Sequence, residues 1–268
     1  MHNHQLVNNV MNHDFVRAGL VFFFIIFFLF YVLAVIKNNK LRKQWPSYRT
    51  LFWTLGVFCS AVSMIGPLAE KAHVSFTAHM ISHLLLGMLA PLFIVLASPA
   101  TLLLRSLPVA KARLLASLLK KKIMHIFLDP LVAAILNIGG LWLLYTTDLY
   151  MLMHQYIWLF IFIHLHLFLA GYLFTTAILS IDPVIPQKHF WYRSLVLVIA
   201  LAAHGILSKY MYGHPPAGVP LKQAESGSML MYYGGDVVDI ILIFLLCLQW
   251  YNASRPRQYP VSHNINSL

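Results

Sequence analysis

Residues 18–36 run without a single charged side chain, and six further apolar stretches follow at about 50–65, 78–97, 126–145, 155–179, 191–212 and 233–251. In hydrocarbon each backbone N–H and C=O must be satisfied within its own segment, which leaves the α-helix as the solution for separate runs. About 20 residues rising about 1.5 Å each cross a bilayer core. The pattern predicts an all-α, polytopic membrane protein of seven transmembrane helices. A composition of 60% hydrophobic and 10% charged residues excludes an ordinary soluble domain.

The formal charge of +11 raises nucleic acid as a partner, but the placement of the charges argues against it. All but four of the nineteen Lys and Arg, from Lys37 to Arg49, Arg105 to Lys122, Lys188, Arg193, Arg255 and Arg257, fall on one side of a seven-helix layout. Only Arg17, Lys71, Lys209 and Lys222 fall on the other. Basic loops mark the cytoplasmic face, so the N-terminus is expected outside, the C-terminus inside, and the location in a bacterial-type cell membrane.

One membrane domain over 18–251 is expected, with an extracytoplasmic tail at 1–17 and a cytoplasmic tail at 252–268. The polar opening segment has no basic n-region, so the mature chain is expected to keep its N-terminus. Residues 99–122 alternate apolar and basic side chains, which predicts amphipathic helices against anionic membrane lipids. Cys59 and Cys247 lie in separate apolar runs and read as small hydrophobes, without a thiolate pair. No nucleophile with a placed base, HExxH or phosphate-binding glycine loop is present, so catalysis is not expected.

The chemistry lies in the histidines. His79 and His83 stand four residues apart on one helical face at the mouth of the third apolar run. Depth along the predicted helices puts His79, His154 and His214 at the outer surface, Asp236 about a turn below, His83 and Asp239 slightly deeper, and His204 and His164 nearer the midplane. Ionisable groups at such depth face a bundle interior and mark a site. Two residues on a helix turn through about 200°, so His164 and His166 cannot share one site, and His166 is assigned to a neighbouring helix. His79, His83, His164 and His204 are the principal candidate metal ligands, with Asp236 as an oxygen ligand or a carboxylate orienting an imidazole. His73, Met153, His154, His166, His214, Met231 and Asp239 are further candidates. His2, His4 and His13 read as tail residues. Imidazole with thioether nearby suits copper over hard cations. Methionine also fills apolar packing, and a membrane histidine also serves as an interhelical hydrogen-bond donor.

These segments also carry a resemblance. His79-Met80-Ile81-Ser82-His83, Pro91-Leu92 and Ser98-Pro99-Ala100-Thr101-Leu102-Leu103-Leu104-Arg105 are followed by His164-Leu165-His166-Leu167-Phe168-Leu169-Ala170-Gly171-Tyr172-Leu173-Phe174. Then come Asp182-Pro183, Arg193, His204 and Met231-Tyr232-Tyr233-Gly234-Gly235-Asp236. Over roughly 79–251 this order resembles the CtaG family of cytochrome c oxidase assembly factors, in the seven-helix form found with caa-type oxidases. The resemblance implies a role in maturing a haem-copper oxidase at its outward-facing copper centre, with oxidase subunits as partners. Three alternatives keep the same residues: haem held between facing imidazoles, a copper or proton transporter, and a metal-free scaffold.

Overall fold

The computed structural model describes residues 2–183 and 187–255, with side chains from Arg17 onward. Residues 256–268, which hold Arg257 and most of the expected C-terminal tail, and the side chains of His2, His4 and His13 lie outside the described residues.

All regular structure among the described residues is helical. Helix α1 spans His2–Leu41 and α2 spans Ser47–Met64. Gly66 at φ +87° and Pro67 at a helix start end α2 and open the short α3, Pro67–Ala72. Helix α4 runs over Phe76–Leu96, with a π-helical stretch at Leu84–Leu89 immediately after His83. Three short helices follow: α5 (Pro99–Ser106), α6 (Val109–Leu119) and α7 (Lys122–Phe127). They cover the stretch expected to be amphipathic, and α6 exposes Val109, Leu114 and Leu118. Helix α8 (Pro130–Thr146) carries a second π-helical stretch, Ile135–Gly139, and bends by 80° into α9, Leu149–Gln155. Helices α10 (Ile157–Leu179), α11 (Phe190–Gly213) and α12 (Leu221–Ser254) complete the chain.

Among the described residues, five segments are long and apolar enough to cross a membrane: 17–41 of α1, then α4, α10, α11 and α12; the bent α8–α9 pair makes up to six. Seven spans were expected; with the bent pair counted as one span, α2 is the expected run that falls short of this measure. Its first turn holds Ser47, Tyr48, Arg49 and Thr50, and the hydroxyls of Thr54, Ser60 and Ser63 donate to carbonyls of their own helix.

The last helix begins well before the expected 233. Residues 221–232, which lie between the expected runs 191–212 and 233–251, are the outer turns of α12. Ala224, Gly227, Ser228 and Met231 repeat at helical spacing and are buried; Gly227 lies under the ring of Phe76 and beside Met80. Gln223 Oε1 accepts the backbone N–H of Phe76 (2.9 Å), which satisfies an orphan donor at the start of α4. Packing against α4 thus outweighs the weak helix propensity of the Ser226-Gly227-Ser228 run.

Helix α1 turns Phe22, Phe23, Ile26 and Phe30 outward and anchors through Tyr31, which stacks on Trp53 at 4.3 Å and donates to Ala97 O (3.0 Å). At the basic end of the bundle, Asp182 accepts the backbone N–H and the hydroxyl of Thr101 at the start of α5. Burial raises its pKa, against the hydrogen bonds from Thr101 and Ala100. Arg193 and Gln249 close the C-terminus of α10: Arg193 Nη1 donates to Ile178 O (2.6 Å) and Gln249 Nε2 to Leu179 O (2.6 Å). These contacts fix α10 and α11 against α12 at one end, and His73, His79, His83 and His154 lie toward the other.

Candidate functional site

Ser75 opens α4, its hydroxyl accepting from Ala78 N, so His79 and His83 fall in the first two turns of a well-started helix. Both are buried, at 3% and 2% exposure. The two rings look to different neighbours. His83 lies nearly parallel to His204 of α11, centroids 6.4 Å apart and planes at 24°. Both His83 nitrogens and His204 Nε2 are buried without a hydrogen-bond partner. A cavity of about 30 Å³ lies between them, lined also by Asn137, Thr175 and Asp239. That is room for one water or one ion. Two glycines shape this place. A Cβ on Gly171 would overlap the carbonyl oxygen of Gly87, so α10 crosses the π-helical part of α4 at backbone contact. A Cβ on Gly235 would lie 2.6 Å from His204 Cε1, so α12 leaves room for that ring.

The second group gathers around His79. Its ring is 6.2 Å from that of His164 and 6.3 Å from that of His154, and His73 is 6.0 Å from His154. His164 Nδ1 donates to Phe160 O and His154 Nδ1 to Tyr150 O, both at 2.9 Å. A carbonyl can only accept, so in the neutral rings Nε2 carries the lone pair, the tautomer a metal ligand needs. His79 Nε2 lies 3.1 Å from the hydroxyl of Tyr145, whose buried ring also meets His83 edge-on at 6.3 Å. An open cavity of about 200 Å³ is lined by His73 and His154 of this group, with Tyr150, Phe76 and Gln223.

The other candidates are placed apart. His166 turns to α8 and donates Nε2 to Leu136 O (3.2 Å). His214 is exposed and stacks on Tyr210. Met153 and Met231 are fully buried in an apolar cluster with Phe76, Met80 and Met211. Of the two carboxylates, Asp239 lines the small cavity, whereas Asp236 is exposed and does not. Tyr145 and Asn137 were not singled out from the sequence. Tyr145 looks like any tyrosine at the end of a span, but a lone Asn in the apolar 126–145 run was a readable signal of a polar interior.

Among the described residues, no three or more His, Cys, Asp or Glu converge as a metal-binding group. Pairs of imidazoles do approach each other. Two imidazoles bridged by a metal about 2 Å from each nitrogen have centroids about 5 to 6.5 Å apart, and the pairs here measure 6.2 to 6.4 Å.

Fold and site together define a multi-pass helical membrane protein with a row of histidines turned into its bundle. Residues 29–253 match the family model of the cytochrome c oxidase caa3 assembly factor, and the chain belongs to that family. It is 28% identical over 210 residues to an uncharacterized protein of Mycobacterium leprae, covering 76% of this chain and 30% of that one. Uncharacterized proteins of Mycobacterium bovis and Mycobacterium tuberculosis are each 31% identical over 150 residues, 53% of this chain and 22% of theirs. The chain therefore spans less than a third of the length of these relatives. No solved structure matches it.

Proposed function

We propose that this chain is a non-catalytic membrane assembly factor that binds copper through its inward histidines and passes it to a caa-type oxidase subunit. Family membership supports the oxidase as client. The observation that carries the copper reading is the His83–His204 pair, three of whose ring nitrogens are buried and unpartnered beside a cavity of ionic size. A buried polar atom left unpaired is costly, and a ligand that completes it is the ordinary reason for its retention. His79, His154 and His164 are the remaining imidazole ligands, and Asp239 supplies a nearby carboxylate. The same cavity favours an ion over haem, because a porphyrin needs several hundred Å³. In this reading α2 and the α8–α9 pair join the five long helices as seven spans. The basic segments face the cytoplasm and the histidine end faces outward, toward an outward-facing copper centre.

The test is elemental analysis and an absorption spectrum of the detergent-purified protein before and after anaerobic incubation with Cu(I). Stoichiometric copper without a Soret band supports the reading. A Soret band would replace copper with haem, and a protein that stays empty would leave a scaffold.

A further inference from the structure

At the basic end of the bundle Trp45 lies between the end of α1 and the start of α2, its ring 5% exposed and pinned at two points. Its backbone N–H donates to Asn39 Oδ1 (2.7 Å), and its Nε1 donates to the Tyr31 hydroxyl (3.0 Å). Two guanidiniums lie over this fixed ring: Arg49 of α2, its carbon 4.9 Å from the centroid, and Arg105 of α5, at 5.7 Å. Stacking occupies the face of a guanidinium and leaves the N–H donors at its edge unused. Both arginines are half-buried, and Arg49 Nε is buried without a partner. The ion pairs among the described residues are Arg17–Glu70 and Lys188–Asp129, so neither arginine belongs to one.

Arg193, by contrast, spends its donors on Ile178 O and Gln249 Oε1. No Asp or Glu occurs between Asp14 and Glu70, or between Glu70 and Asp129. Asp182 is the carboxylate whose charge acts together with that of Arg49, and it accepts the N–H and the hydroxyl of Thr101 rather than the guanidinium. Arg49 also stands in the first turn of α2, where the helix dipole disfavours a cation. Desolvated charged donors are costly unless an acceptor meets them.

We propose that Arg49 and Arg105 together bind one phosphate group beside Trp45, and that it is the phosphodiester of an anionic membrane phospholipid. A guanidinium fork matches two phosphate oxygens, and two forks held by one rigid ring fix where the group sits. The single charge of a phosphodiester suits two cations beside one carboxylate. The chains of a lipid also have surface to cover here, since Tyr48 and Leu51, next to Arg49 in α2, are 54% and 58% exposed. Basic pockets between membrane helices are a recurring form of headgroup site. The site shares no residue with the histidines, and it stands whether or not they bind copper.

The test is native mass spectrometry of the full chain in detergent, titrated with phosphatidylglycerol, with phosphatidylcholine and with inorganic phosphate. One tightly held phosphatidylglycerol per wild-type chain is expected, in preference to phosphatidylcholine. Arg49→Gln and Arg105→Gln are each expected to weaken it about tenfold, the loss of one charge-assisted contact. Arg105→Lys, which keeps the charge and loses the fork, is expected to weaken it less than Arg105→Gln. Lys111→Gln with Arg113→Gln, at exposed basic side chains of α6, is expected to leave it unchanged. An equal loss in that control overturns the site in favour of general attraction to charge. Inorganic phosphate that binds the wild type but not the arginine variants, with no tightly held phosphatidylglycerol, overturns the lipid as source and keeps the phosphate site. A wild type that holds neither overturns both, and that result needs no variant to fold.

Discussion

The imidazoles of His83 and His204 face each other 6.4 Å apart with their planes 24° from parallel, and three of their four ring nitrogens have no partner. Holding three imidazole nitrogens away from bulk water costs free energy that an apolar side chain of similar volume does not. His83→Leu, close in volume, is therefore expected to stabilise the metal-free protein by about 1 kcal/mol while removing copper binding. Thermal unfolding in detergent without metal checks this. A loss of stability would mean that His83 is held by the fold for packing.

Gly235 separates position from stability. Its substitution by Ala puts a methyl group 2.6 Å from His204 Cε1, and the ring must move. Cu(I) affinity is expected to fall about tenfold with little change in melting, since a small displacement of a ligand is felt strongly. Gly171→Ala, which meets the backbone of α4, is expected to cost about 1–3 kcal/mol of stability. Chelator competition and thermal melts on both variants distinguish the two effects.

Arg193 is a structural cation. Its guanidinium donates to Ile178 O and to Gln249 Oε1 (3.2 Å), and Gln249 in turn holds Leu179 O. Arg193→Met leaves the Ile178 carbonyl and Gln249 Oε1 without their donor and is expected to cost about 2–3 kcal/mol. Copper binding per folded molecule is expected to be unchanged, which metal analysis of the purified variant would read.

Asp129 supplies a pH dependence at the other end of the bundle. Partial burial pushes its pKa up, but the Tyr192 hydroxyl (2.7 Å), Lys188 ammonium (3.0 Å) and Leu131 N–H outweigh this and hold it below the usual carboxylate value. A folded pKa below the unfolded one means that the stability is present above the unfolded pKa and lost as pH falls through the folded one. Asp129→Asn is expected to flatten the acid side of the melting temperature against pH. An unchanged acid limb would remove Asp129 from the account.

The helical membrane character was plain in the sequence, because long uncharged runs allow no other conformation. The number of spans was less so: α2 has the length of a helix but the polar first turn of a surface segment. The start of α12 was hidden because Ser226-Gly227-Ser228 reads as a turn, and only contact with Phe76 and Met80 makes it helix. Within the site, spacing put His79 and His83 on one face, but a turn of rise is enough to give each a different partner. Spacing put Asp236 and Asp239 on one face and Asp236 was preferred, whereas packing turns Asp239 inward and leaves Asp236 exposed. The unpartnered nitrogens and the part played by Tyr145 depend on contacts between distant segments, which no periodicity records; the tautomers of His154 and His164 are fixed within their own helices, by carbonyls four residues back.

The central claim is delivery, and the most direct measurement is the copper-to-haem ratio of the caa-type oxidase purified from cells that carry His83→Ala, at matched oxidase polypeptide levels. The account predicts a normal haem content with copper depleted at the outward-facing centre. A client with its full copper complement in that strain would contradict it.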